Sequence, residues 1–116
     1  MKESLRRFYE YLDSDEELMY SVRMNAEWNE EAFCKMKKLA EAVMEDYAEE
    51  EYYPKRLVGY FIREIPSVIN MLSHFRVCTA ENLLKGYTQE TYIDMIAHKR
   101  EQLKEFKWEF EKTLFY

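Results

Sequence analysis

Glycine and proline are scarce, with two of each in 116 residues, where average usage would put about 14 of them together in such a chain. That shortage excludes glycine-cradled phosphate loops, hairpin-rich sandwiches and solenoids with glycine turns, all of which need left-handed or prearranged backbone. Cysteine and histidine are equally sparse, two of each. Cys34 and Cys78 are too far apart in sequence for the close paired spacing of a structural zinc site, and a reducing compartment keeps them as thiols; both are expected to be buried and inert. Long apolar runs are missing as well. The longest stretch without Asp, Glu, Lys or Arg, from Ile65 to Phe75, has 11 residues against the ~20 needed to cross a bilayer. The first ten residues mix acid and base without the layout of a signal peptide, so the expected address is cytoplasmic and no membrane partner is expected.

What the chain has is amphipathic patterning: 47% hydrophobic and 34% charged residues, the charges separating apolar positions at helical spacing. The expectation is an all-α, compact single-domain bundle of five to seven helices over residues 1–116. Leu5, Phe8, Tyr9 and Leu12 mark a first helix from about Ser4 to Leu12. A second, capped by Ser14, turns Leu18, Met19 and Val22 inward, and Asn25 or Asn29 caps a third. The third carries Ala32, Phe33, Met36, Ala40, Val43, Met44 and Tyr47 in three-four alternation from Glu30 to about Glu51. Pro54 is placed as first residue of a fourth helix, apolar nearly all round, that Pro66 breaks or kinks before it continues to Phe75. Thr79 caps a short helix ending at Gly86. Thr88 caps the longest, Gln89 to Leu114, with Tyr92, Ile93, Ile96, Leu103, Phe106, Phe110 and Leu114 inward. The heptad-like seams of the third and last helices also allow a homo-oligomer.

Charge is unevenly spread. The formal net charge is −6, but the acidic half, residues 1–53, has 7 bases against 15 acids (−8), and the mildly basic half, residues 54–116, has 10 against 8 (+2). Asp13, Asp15, Glu16 and Glu17 have a local cause, because carboxylates favour a helix N-terminus and Ser14 with Glu17 has the capping-box spacing. Glu45, Asp46, Glu49, Glu50 and Glu51 lack one: at the C-terminal end of the third helix each opposes the macrodipole by ~0.3–1 kcal/mol. The bland explanation is a solvated face; the functional one is a recognition surface, with Tyr52 and Tyr53 beside it. The chain is also rich in aromatics, with 10 Tyr, 7 Phe and 2 Trp. Tyr11, Trp28, Tyr52, Tyr53, Tyr87 and Trp108 fall off the inward stripes and are expected among exposed partner contacts.

Catalytic constellations are hard to assemble. His74 and Cys78 share an i, i+4 spacing if helix persists between them, but no orienting carboxylate lies nearby. Neither histidine has the preceding glutamate of a bundle di-iron site, and the loop opened by Asp13 and Asp15 lacks the glycine and final glutamate of a calcium loop. No enzyme activity, cofactor or metal is expected. Phe8 to Leu18 resembles a helix boundary in the leader domains of peptide natural products; no Gly-Gly type cleavage site follows it. Thr79 to Arg100, a short capped helix, a turn at Gly86-Tyr87 and a second capped helix, resembles the helix-turn-helix of DNA-binding proteins. The resemblance implies nucleic-acid contacts through Gln89, Tyr92, His98, Lys99, Arg100, Lys104 and Lys107, although Glu90 and Asp94 in the first turns would face phosphates. The leading expectation is a small acidic, non-enzymatic protein-interaction module, of the kind that stoichiometric inhibitors, antitoxins, immunity and anti-defence proteins use. It would dock on a basic or nucleic-acid-binding partner through Glu45, Asp46, Glu49, Glu50, Glu51, Tyr52 and Tyr53. The alternative is a DNA-binding regulator using residues 79–107.

Overall fold

In a computed structural model describing residues 1–76 and 78–115, the apolar stripes become six helices, with no strand among the described residues. They are α1 (Glu3–Leu12), α2 (Leu18–Asn25), α3 (Glu30–Asp46), α4, α5 (Ala80–Leu84) and α6 (Gln89–Phe115). Helix α4 runs unbroken through an α-helical stretch Lys55–Gly59, a π-helical turn Tyr60–Glu64 and a second α-helical stretch Ile65–Leu72. The architecture is the all-α bundle expected. Its extents are 47 × 28 × 19 Å, the long axis set by α6, whose 27 residues span about 40 Å at 1.5 Å each.

Helix α1 packs on α3, α2 bridges α3 and α4, and α6 lies along the second half of α4. The centre is aromatic. Phe61 stacks on Phe110 with ring centroids 4.1 Å apart and meets Phe106 edge-on at 5.0 Å. Phe8 meets Tyr60 edge-on at 5.7 Å, so α1, α4 and α6 share one cluster. Burying a side chain of this size contributes about 1.5–3 kcal/mol, and Phe8, Phe61 and Phe110 are all completely buried.

Caps decide several boundaries. Asn29 accepts from the Ala32 amide and starts α3, Thr79 accepts from Asn82 and starts α5, and Thr88 accepts from Thr91 at the head of α6. Helix α2 differs from expectation. Its cap is Glu17, not Ser14: Glu17 Oε2 accepts from the Tyr20 amide at 3.0 Å while Oε1 accepts from the buried Tyr60 hydroxyl at 3.0 Å. Ser14 instead donates back to the Tyr11 carbonyl and closes α1. Only the longer carboxylate reaches both the α2 amide and α4.

Further expectations are corrected. Helix α3 stops at Asp46, not near Glu51, because continuing would bring Glu49, Glu50 and Glu51 onto its carbonyl end; tight turns to Glu45 and Tyr47 carbonyls replace the last helical bonds. Pro54 precedes α4 in extended geometry and is its cap residue rather than its first helical one. Pro66 does not break α4. The wider π turn just before it, with the Ile65 amide reaching back to the Tyr60 carbonyl, makes room for the ring where an α turn would clash. Finally, Cys34 is exposed and Cys78 half-buried, so neither is a core thiol. Ile62, Ile93 and Leu114 also face outward in part, while Tyr11, expected outside, is buried with its hydroxyl donating to the Ala32 carbonyl at 2.8 Å and accepting from the Leu18 amide at 3.0 Å. Helix α4 ends at Leu72, which separates His74 from Cys78; Val77, between them, lies outside the described residues.

Candidate functional site

The acidic segment forms a tip at the C-terminal end of α3. Glu45 and Asp46 occupy the last turn, and Glu49, Glu50 and Glu51 follow in the connection to α4; all five are exposed. The connection is pinned at both ends. Lys2 donates to the Asp46 carbonyl, pairs with Glu50 at 3.0 Å and lies over the Tyr47 ring at 4.5 Å, while Tyr53 packs against Phe110 with centroids 5.4 Å apart. The side-chain carboxylates of Glu45, Asp46, Glu49 and Glu51 have no cation within 4 Å among the described residues. The negative end of the α3 dipole adds about half a unit charge of the same sign. Tyr52, 77% exposed, stands beside these carboxylates, whereas Tyr53 is half-buried by its contact with Phe110.

Five of the ten other acids in the front half are answered by cations of the same chain. Glu3 and Glu10 pair with Arg6, Glu3 also with Arg7, Asp13 with Arg56, Glu16 with Lys35 at 2.8 Å and Glu30 with Lys99 at 2.8 Å. The hydrogen bond from Arg6 holds the Glu3 carboxyl below its ordinary range, and those from Arg56 and Lys35 do the same for Asp13 and Glu16. At Glu30 burial pushes the carboxyl up, yet the bonds from Lys99 and the Trp28 indole outweigh it. The surplus of carboxylates in residues 1–53 is therefore not one face: Asp15, Glu27, Glu31 and Glu41 are also without a cation among the described residues, and the tip is where unpaired carboxylates follow one another in the chain.

The residues marked for nucleic acid are brought to different places. Gln89 is held by its own chain, its Oε1 accepting from the Cys78 amide at 2.7 Å and its Nε2 donating to the Arg76 carbonyl. Tyr92 is buried. Arg100 donates to the Ile69 carbonyl at 3.1 Å, Lys104 pairs with Glu101 and Lys107 with Glu111. Helix α5 has only five residues and leaves Leu83 and Leu84 exposed, and Gly86, at φ +95°, makes the left-handed turn into α6.

Tyr92, His98 and Lys99 instead line a cleft of about 660 Å³ between the α2–α3 connection and the start of α6, with Trp28, Asn82 and Tyr87 among its other walls. Trp28 packs on Phe33 and donates to Glu30 at 2.7 Å, and the Lys99 amine lies 6.0 Å from both rings. Trp28 and Tyr87 were legible as aromatics off the stripes; Asn82, buried with its amide on Thr79, has no sequence signal beyond its place after a helix cap. Among the described residues no group of three or more His, Cys, Asp or Glu is placed to hold a metal ion, and no helix is long and apolar enough to cross a membrane. Compared with protein-family models, with curated proteins and with solved structures, the chain finds no match.

Proposed function

We propose that this chain is a non-enzymatic protein-interaction module that docks on a basic surface, such as that of a nucleic-acid-binding protein, through the tip formed by Glu45 to Tyr52. The observation that carries the reading is clustering: Asp15, Glu27, Glu31 and Glu41 also lack a cation among the described residues, but the unpaired carboxylates of Glu45, Asp46, Glu49 and Glu51 follow one another at a single helix end. A merely solvating acid block would have no need of a pinned frame. Lys2 and the Tyr53–Phe110 contact hold this one in place, which lowers the ordering cost of binding, and Tyr52 offers the broad amphipathic contact that interface cores favour. An inhibitor that masks a basic site is the form of function that such a surface serves most directly.

Capture from native lysate with two baits tests the reading: the wild-type chain, and Glu45→Gln, Asp46→Asn, Glu49→Gln, Glu51→Gln together. The expected result is a partner with a basic surface retained by the first bait and lost by the second at equal folded concentration. A specific partner retained equally by both would overturn it. The nucleic-acid alternative draws little support, since Gln89 and Tyr92 are engaged within the fold.

A further inference from the structure

A second charged feature lies between α2 and α4 and has the opposite sign. Arg23 of α2 and Lys55, Arg56 and Arg63 of α4 line a cleft of about 320 Å³, with Leu12 and Met19 as an apolar wall. That is the small end of the range for ligand sites. In a chain of net charge −6, such a concentration of cations needs a cause.

Their pairing is incomplete. Arg56 is committed, bonded to Asp13 and lying over the Tyr9 ring at 5.0 Å. Lys55 has no carboxylate within 4 Å among the described residues. Arg23 and Arg63 converge on Glu64, but at 3.6 and 3.9 Å, too long for the charge-assisted hydrogen bonds a guanidinium makes to a well-placed anion. The other carboxylate, Glu17, sits at the floor with its oxygens taken by the Tyr60 hydroxyl and the Tyr20 amide. Between these groups the wall is Gly59, in the interior of a helix at ordinary helical φ. A Cβ there would meet only Arg63 Nη2, at 3.8 Å. Packing therefore does not require glycine at this position, and helix propensity disfavours it; a methyl group there would stand in the cleft wall beside Arg63.

We propose that this cleft binds a small phosphate monoester, its dianionic head taken between Arg23 and Arg63 in place of Glu64, with Lys55 at the rim and the ester group toward Leu12 and Met19. Two guanidinium forks suit a tetrahedral dianion better than a single carboxylate. Glu64 then acts as the internal competitor that an incoming ligand displaces. This site is separate from the acidic tip and does not depend on the role assigned to it.

Titration of the full chain at constant ionic strength, read by calorimetry and by the amide shift of Gly59, tests the proposal with glycerol 3-phosphate as probe. Expected are saturable one-to-one binding, none with glycerol, and about a tenfold loss for Arg23→Gln or Arg63→Gln. Glu64→Gln should bind several-fold more tightly, a sign that damage to the fold does not produce. Gly59→Ala should weaken binding while raising the thermal midpoint. No saturation by glycerol 3-phosphate would overturn the proposal, as would equal affinity for inorganic phosphate, stronger binding of a hexaglutamate peptide, or affinity unmoved by the arginine and glutamate substitutions.

Discussion

Glu17 is one residue whose place was misread from sequence and whose consequences are measurable. It joins α2 to α4 by capping one and accepting from Tyr60 of the other, and burial raises its carboxyl above the ordinary range, with the bonds from Met19, Tyr20 and Tyr60 opposing that shift. An acid whose folded pKa is raised binds its proton more readily in the folded state. Stability from this group is thus full at low pH and declines as pH rises from the unfolded carboxyl range through the raised folded value. Glu3, Asp13, Glu16 and Glu30 have the opposite sign, their contributions being lost as pH falls. Denaturant unfolding of wild type and Glu17→Gln from neutral pH downward isolates the term: the wild type should gain on the variant as pH falls, and a constant difference would contradict the assignment. Ala26 supplies a second residue-scale prediction. It ends α2 at φ +51°, where a Cβ is strained, so Ala26→Gly should stabilise the chain by about 0.5–1 kcal/mol in the same assay. Gly59→Ala should do so by a similar amount for the opposite reason, an unneeded glycine inside a helix. Sequence could not reveal Ala26, since alanine carries no turn signal, and it gave Glu17 to Ser14 because the capping-box spacing is local whereas Tyr60 lies 43 residues away.

Elements were the most legible scale, because they follow from periodicity. The stripes Leu5–Phe8, Leu18–Met19–Val22 and Tyr92–Ile96–Leu103–Phe106–Phe110 are buried as the spacing requires, and Asn29, Thr79 and Thr88 cap where short polar acceptors precede such stripes. Asn29→Ala should accordingly cost about 1 kcal/mol through loss of the α3 cap. Where periodicity competes with another force it misleads. It carries α3 to Glu51, but the dipole and the clustered acids end it at Asp46. In α4 it treats Pro66 as a break, although a π turn absorbs the ring. Ile62, 59% exposed, shows that an apolar run does not by itself make a helix buried on every side. Helices α4 and α6 depend on each other through Phe61, Phe106 and Phe110, so Phe110→Ala should cost about 3–5 kcal/mol in chemical denaturation. It should also loosen the tip, since Tyr53 loses the ring it packs against.

Across the whole molecule charge is arranged in two unlike places, and sequence disclosed only one of them. The run Glu45 to Glu51 is contiguous, so its placement at one tip was readable; that Lys2 would reach Glu50, or that Lys35, Arg56 and Lys99 would reach Glu16, Asp13 and Glu30, depends on contacts 19 to 69 residues apart in sequence. The basic cleft likewise joins Arg23 to residues 55–64, and no local pattern announces it. The central claim is that the tip is a recognition surface, and the association rate of the captured partner, followed by stopped flow across a range of salt, tests it most directly. The wild-type rate should fall steeply with ionic strength, by about tenfold or more between low and physiological salt, while the chain with Glu45, Asp46, Glu49 and Glu51 neutralised associates slowly throughout with a flat dependence. Superimposable rates and salt slopes for the two proteins would contradict it.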